Sequence, residues 1–345
     1  MKNYGYIRTA AAVPSVRVAD IAFNTEEICR LIGKAIESQA SLAVFPELCI
    51  TGSTCGDLFR QSLLVKGAEE AAGRIAEFCR YKDVTVVVGA PVPYGGQLYN
   101  CSIVIADGTV KGIVPKTHLT PKEQRLFSSA SELESDGRQW EIKYAGCKCR
   151  ISAGLQFQIG EAVFAVETGE DLWAPIPPSS RHAMSGVHII AHPSAEYEIL
   201  MTDRYRSDRL KQHTACTLTG YIHASAGFGE STQDYVHSGA AAIWENGEVL
   251  AANDRYSTEP SLTIADIDIE KLENLRRGRN GFLNNSYTRL SLGEGKDTDF
   301  ETSLHRPVEP HPFAPEKDLD YRCREILDIQ TAALARRLAH INCNT

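Results

Sequence analysis

The sequence predicts an α/β protein in which two mixed sheets pack face to face between helix layers. Three observations predict it. Strand-type and helix-type segments alternate, the alternation runs twice along the chain, and Asp-Gly and Asn-Gly turns join some neighbouring strands directly. Taken in order, "YIRTAAAVP" reads as a strand, and "DIAFNTEEICRLIGKAIESQA" follows as an amphipathic helix with Ile28, Leu31, Ile32 and Ile36 at helical spacing. "SLAVFPELCI" is a buried strand ending at Pro46-Glu47, and the helix "VKGAEEAAGRIAEFCRYK" leads into the strand "VTVVVGAPV". "LYNCSIVIADGTVKGIVPK" is a hairpin turning at Asp107-Gly108. The second half repeats the scheme with "QFQIGEAVFAVETGEDLW", "GVHIIAHPSA", a helix around "DRYRSDRLKQHTACTLTG", then "YIHASAGFGE" and a hairpin turning at Asn246-Gly247. Such a mixture implies mixed sheets rather than purely parallel ones. One domain is expected to residue 290. Residues 291–345 are expected to form a Pro-rich, charged arm from Leu292 to Asp318 and a helix running to Ile341.

The chain has 345 residues, 43% of them hydrophobic and 23% charged, enough for one large domain. A net charge of −8 argues against nucleic acid and anionic membranes as partners, since both need a basic face. No apolar run reaches the length of a bilayer span, and "MKNYGYIRTAAAVPSV" lacks the layout of a signal peptide, so a cytoplasmic location is expected. Ten cysteines include no CxxC pair and no Cys/His cluster at zinc spacing. They read as reduced, mostly buried thiols, and no metal is expected.

Chemistry is expected at three strand ends: Glu47 after "AVFP", Lys116 after "GIVP" and Gly169-Glu170 after "FAVET". Glu47 and Lys116 share one apolar-Pro-charge grammar. Each alone reads as a solvated charge; side by side they would be a coupled pair, the carboxylate able to take a proton and the ammonium able to steady an oxyanion. Such a pair lacks a nucleophile. Arg204 and Arg206 read as a solvated helix face beside Asp203 and Asp208.

"VFPELCITGSTCGDLF", "LYNCSIVIADGTVKGIVPKTHL", "VETGEDLWAPIPPS" and "YIHASAGFGESTQDYVHSGAAAIWENGEVLA" resemble the nitrilase-type (carbon–nitrogen hydrolase) glutaminase domain of glutamine-dependent NAD synthetases. The resemblance covers essentially the whole chain and implies a four-layer αββα sandwich. It implies that Glu47 takes the place of the general base and Lys116 that of the oxyanion-stabilising residue. The third motif of the family reads "EICEDLW"; here it is "ETGEDLW", so Gly169 stands where the family has its nucleophilic cysteine. By the same resemblance Glu123 stands in for a second glutamate that orients the lysine, and Ser194 for a serine near the glutamine site. Glu170 and Trp173 frame the pocket, Trp173 equally as a packing anchor.

The family mechanism attacks the glutamine amide with a thiolate, releases ammonia and hydrolyses a thioester. Glycine has no atom for that bond. Ser53, where the family usually has Tyr, and the loop "TPKEQRLF" depart too. Cys49 and Cys55 read as packing rather than as replacements. The resemblance thus implies a glutamine amidohydrolase that is impaired or inactive in this copy. The alternatives are a pseudoenzyme that binds a small amide or carboxylate or scaffolds a partner synthetase, and an active hydrolase using another nucleophile. Expected partners are glutamine or a similar small amide, an ammonia-accepting NAD synthetase domain, and further copies in a homo-oligomer. No cofactor is expected, because ATP and the NAD precursor would bind a synthetase domain whose "SGGLDS"-type loop this sequence does not contain. A domain cut from a larger protein, or a truncated relative, is the expectation.

Overall fold

In the computed structural model, residues 4–134, 140–279, 281–282, 287–293, 303–311 and 318–341 are described. The elements in chain order are β1 (Tyr6–Val13), α1 (Ile21–Glu37), β2 (Leu42–Val44), α2 (Ser62–Phe78), β3 (Thr85–Tyr94), β4 (Gln97–Ala106) and β5 (Thr109–Pro115). There follow α3 (Ala130–Glu134), β6 (Trp140–Tyr144), β7 (Cys147–Ile151), β8 (Leu155–Ile159), β9 (Ala162–Val166), α4 (Pro178–Met184), β10 (Ile189–Ser194) and α5 (Thr202–Thr217). The remainder are β11 (Gly220–Ser225), β12 (Ala241–Glu245), β13 (Glu248–Ala252), β14 (Ser261–Asp268), α6 (Ile269–Arg277), β15 (Thr288–Ser291) and α7 (Leu319–His340).

Two sheets form, ordered β14-β1-β2-β3-β4-β5-β7-β6 and β13-β12-β11-β10-β9-β8-β15. Within them the same pattern occurs twice. β14 to β5 and β8 to β13 each read antiparallel, parallel, parallel, antiparallel, antiparallel. The repeat makes β2 and β10 counterparts, and β1 and β9. Both expected hairpins turn where predicted, at Asp107-Gly108 and Asn246-Gly247, with positive φ at all four residues.

Period-2 alternation sends one face of each strand into the space between the sheets and the other toward the helices. Val44, Val87, Val104, Phe157, Phe164, Ile189, Ile222 and Ile267 fill the inter-sheet core. Ile28, Leu31 and Ile32 of α1 and Ala68, Ala72 and Ile75 of α2 pack on the outside of the first sheet. Each of the buried Ile and Leu side chains contributes about 1.5–3 kcal/mol of burial. Asp20 caps α1 by accepting from Phe23 N at 3.1 Å. The cover on the second sheet is thinner and more polar. α5 buries only Leu210 among apolar side chains, with Arg206, His213, Thr214 and Thr217 beside it. This is a four-layer αββα sandwich, as the resemblance implied.

Three expectations change. The compact unit runs to Arg306 rather than to residue 290, because β15 joins the second sheet and residues 303–306 are bonded to the strands. His305 N donates to Asp266 Oδ2 at 2.7 Å, Asp266 N to His305 O at 2.8 Å, and Arg306 reaches both oxygens of Glu245 at 3.0 Å. Most of the expected arm, residues 294–302 and 312–317, lies outside the described residues. Residues 307–345 form a separate unit, in which α7 ends one residue before the Ile341 expected. Arg206 is not on a solvated face. Its guanidinium is buried, bonded to Glu196 at 2.9 Å, Glu198 at 3.2 Å and Asp203 at 2.9 Å. Arg204 is exposed, as expected. Among the described residues no helix is long and apolar enough to cross a membrane.

Candidate active site

Glu47 follows β2 in a loop pressed against the first sheet. That approach depends on Gly89 of β3, where a Cβ would lie 2.7 Å from Glu47 C and 2.8 Å from Pro46 O. The loop also reaches the second sheet. Glu47 N donates to Ser194 O at 3.2 Å, and Ala195 N donates back to Glu47 Oε2 at 3.1 Å. Lys116 follows β5 and is placed by its own N–H donating to Asn100 O at 2.8 Å. Its Nζ donates to Glu47 Oε1 at 2.7 Å and to Glu123 Oε1 at 2.6 Å. Glu123 Oε2 in turn accepts from Thr120 N at 2.8 Å and Thr120 Oγ1 at 2.9 Å. Glu47 and Lys116 are 3% and 4% exposed, so this is a buried charged centre and not a pair of surface ions.

Gly169 closes the centre from the other sheet. β9 ends at Val166, Thr168 is extended, and the chain turns sharply at Gly169 with φ +50° into a short 3₁₀ turn, Gly169–Trp173. Thr168 and Asp171 cap this turn reciprocally, Thr168 N donating to Asp171 Oδ2 at 3.0 Å. Asp171 Oδ1 also accepts from His118 N at 2.7 Å and pairs with His118 Nδ1 at 3.0 Å, tying the Lys116 loop to the turn. Ser102 on β4 meets Thr168 Oγ1 at 3.0 Å. A Cβ built on Gly169 would collide with Oε2 of Glu47 and lie 2.7 Å from Nζ of Lys116. The space beside the turn is therefore filled by the two charged ends.

Burial pushes the Glu47 carboxyl up to about 7, only partly opposed by Lys116. Burial also pulls on the Lys116 ammonium, but Glu47 and Glu123 outweigh it and hold its pKa above the ordinary value. For Glu123, burial is overcome by Lys116 and its carboxyl lies below the ordinary range. The centre can accept a proton near neutral pH on Glu47 and present a permanent positive charge. Among the described residues no cysteine sulfur is bonded to the centre, and the hydroxyl that touches it, Thr120 Oγ1, donates to Glu123 Oε2 at 2.9 Å. Cys49 and Cys55 are buried, donate weakly to Gly89 O and Thr51 O, and are pushed up to about 12 by burial.

Of the other sequence-derived residues, Glu123 joins the trio directly. Glu170 is half-buried, its carboxyl raised by burial and opposed by Lys116. Ser194 supports the centre through its carbonyl, while its Oγ accepts from Glu196 N at 3.3 Å. Trp173 is 36% exposed at the rim and donates from Nε1 to Glu196.

Several residues escaped the sequence reading. Asn100 Nδ2 donates to Glu47 Oε1 at 2.5 Å; the signal was a polar residue inside the buried strand "LYNCSIVIA". His192 Nε2 lies 3.1 Å from Gly169 O, and its Nδ1 lies 2.9 Å from His223 Nδ1. A carbonyl only accepts, so Nε2 of His192 carries the proton and its Nδ1 accepts from His223. Burial holds both rings well below their ordinary pKa, which keeps them neutral. Beside them Glu167 accepts from Tyr221 Oη at 2.6 Å and Ser179 N at 2.9 Å, and burial raises its carboxyl to about 7.

Fold and centre together define a class. Residues 8–277 match the carbon-nitrogen hydrolase family, and the chain belongs to it. Within that class it is similar to glutamine-dependent NAD(+) synthetases. It is 30% identical to that of Mycobacterium bovis over 349 residues, covering 97% of this chain and 51% of the relative. With the Arabidopsis thaliana protein of the same name it shares 25% identity over 76% of this chain and 37% of the relative. The chain thus spans about half the length of the curated relatives it matches, or less. The crystal structure of a glutamine-dependent NAD(+) synthetase from Cytophaga hutchinsonii superposes with TM-score 0.68 at 26% identity, over 76% of this chain and 43% of that one. An amidase from Nesterenkonia shares the fold, with TM-score 0.59 at 18% identity over 79% and 94%.

Proposed function

We propose that this chain is the glutaminase-type part of an NAD synthetase lineage in which the thiol route to ammonia has been lost, leaving a pseudoenzyme. The observation that carries the reading is the turn at Gly169. It faces Glu47 and Lys116, offers no side chain, and leaves no room for one without displacing them. A base and a cation without a nucleophile position and polarise an amide but do not cleave it through an acyl-enzyme, at a cost of several orders of magnitude in rate. Its remaining role is to hold a small amide or carboxylate, or to scaffold an ammonia-accepting synthetase domain, as a homo-oligomer.

The test is ammonia release from glutamine. The unmodified chain is expected to stay at the level of the buffer, with release unaffected by Lys116→Met. Appreciable release that depends on Lys116 overturns the reading. Gly169→Cys asks the complementary question. Gain of release with a covalent acyl adduct in the mass spectrum shows that the base and cation still serve a thiol. Failure, with the fold intact, places the loss in the surrounding loops as well, where Ser53 and residues 120–127 depart from the family.

A further inference from the structure

Two loops that bond the charged centre, those holding Glu123 and Ala195, are stitched to two further loops by contacts outside it. Lys122 Nζ pairs with Asp234 Oδ2 at 2.7 Å and stands 5.1 Å over the ring of Tyr235. Tyr235 stacks on Tyr197 with centroids 4.0 Å apart and planes 19° from parallel. Glu198 N donates to Val236 O at 2.8 Å, and His237 Nδ1 meets Glu196 O at 3.1 Å. Below them Glu230 accepts from Ser53 N at 2.7 Å and Thr54 N at 3.0 Å, bringing in the fourth loop.

Two of these loops are anchored within one or two residues of a group that grips the centre. Lys122 precedes Glu123, which holds Lys116; Tyr197 follows two residues after Ala195, which holds Glu47. The fastening itself is exposed. The side chains of Lys122 and Asp234 keep 63% and 54% of their accessibility, and Tyr197 and Tyr235 are 42% and 40% exposed. Exposed ion pairs contribute little and a stacked pair only modestly, so this cover is far weaker than the buried pair beneath it.

We propose that Lys122, Tyr197, Asp234 and Tyr235 form a latch over the Glu47–Lys116–Glu123 centre, and that small molecules reach the centre only when it opens. A cheap fastening over an expensive centre lets the mouth open by local rearrangement while the sandwich stays folded. The latch holds whether or not the centre turns anything over, so it stands apart from the proposed loss of chemistry.

The experiment is hydrogen–deuterium exchange on the full chain, read by peptide mass spectrometry, for the unmodified protein, Tyr235→Ala, Lys122→Ala and Tyr235→Phe. Tyr235→Ala is expected to speed exchange about fivefold or more in peptides spanning 119–127, 193–201 and 167–173, with the strands unchanged. Lys122→Ala acts in the same direction by less, and Tyr235→Phe, which keeps the stacked ring, behaves like the parent. A second reading uses iodoacetamide as the probe. Position 169 in Gly169→Cys is expected to alkylate slowly, and about fivefold or more faster when Tyr235→Ala is added. Equal exchange and equal alkylation with and without Tyr235→Ala overturn the latch. So does alkylation of position 169 at the free-thiol rate with the latch intact. Neither outcome bears on ammonia release, which tests the other proposal.

Discussion

Substituting Gly169 with alanine asks how tightly the centre is closed. A residue with a Cβ at φ +50° costs about 1–2 kcal/mol relative to glycine. Entropy removed from the unfolded chain returns about 0.4–1 kcal/mol of that. The methyl then competes for the place of Glu47 Oε2, which must turn away from Ala195 N. Losing a hydrogen bond to a charged group costs about 1.5–3 kcal/mol. Gly169→Ala is therefore expected to destabilise the protein by about 2–4 kcal/mol. Equilibrium urea unfolding at pH 7.5 measures it, and a cycle with Glu47→Ala isolates the steric part. With Glu47 truncated the collision with its carboxylate is gone, and the remaining approach to the flexible Nζ of Lys116 at 2.7 Å adds little to the backbone strain, so the cost falls to about 1 kcal/mol. If Gly169→Ala costs as little in the parent as in the Glu47→Ala background, the charged ends do not fill that space and the closed centre is wrong.

Lys116→Met leaves Glu47 and Glu123 facing each other in a buried site and is expected to cost about 3–5 kcal/mol at pH 8. The loss shrinks when Glu47→Gln is added, and urea midpoints of the single and double variants check it. For Glu167, the folded pKa of about 7 lies above the ordinary carboxyl value of 4.5, so its favourable contribution is complete below pH 4.5 and is lost as pH rises through 7. The stability of the parent relative to Glu167→Gln should therefore fall across that window, a difference in which the oppositely acting buried histidines cancel; a flat difference refutes it. Arg306→Ala removes two bonds to the buried Glu245 carboxylate and is expected to cost about 1.5–3 kcal/mol in thermal or urea unfolding. No effect would mean that the folded unit ends before the segment 303–306.

What the sequence made legible follows the range of the interactions involved. Hairpins at Asp107-Gly108 and Asn246-Gly247 and the apolar face of α1 are local patterns, and all three appear as read. β14 was missed because nothing nearby marks it; it pairs with β1, Asp268 opposite Tyr6, from the far end of the chain. Arg206 was misread for the same reason. The local spacing shows Asp203, but Glu196 and Glu198 come from the loop after β10. At the centre, Glu47, Lys116 and Glu123 were reached through motif and resemblance, whereas Asn100 and His192 were not. Both sit on strands whose neighbours are apolar, and their importance depends on which residue faces them across the fold.

The repeated topology explains how the centre holds together with a glycine at position 169. β2 and β10 hold the same place in the two halves, and the loop after β2 exchanges bonds with the end of β10: Glu47 N to Ser194 O, and Ala195 N to Glu47 Oε2. Glu47 is thereby fixed by the backbone of residues 194 and 195 at the end of β10, and Lys116 is fixed by Asn100 O on β4. Neither anchor passes through the side chain at position 169. Had the base and the cation been oriented by the nucleophile, a glycine there would have released two buried charges, each needing several kcal/mol of compensation. Because they compensate each other and are held from the strands, the proposed loss of a side chain at position 169 would leave this framework in place. The buried pair is thus bound into the fold independently of position 169, so its presence does not by itself argue for catalysis.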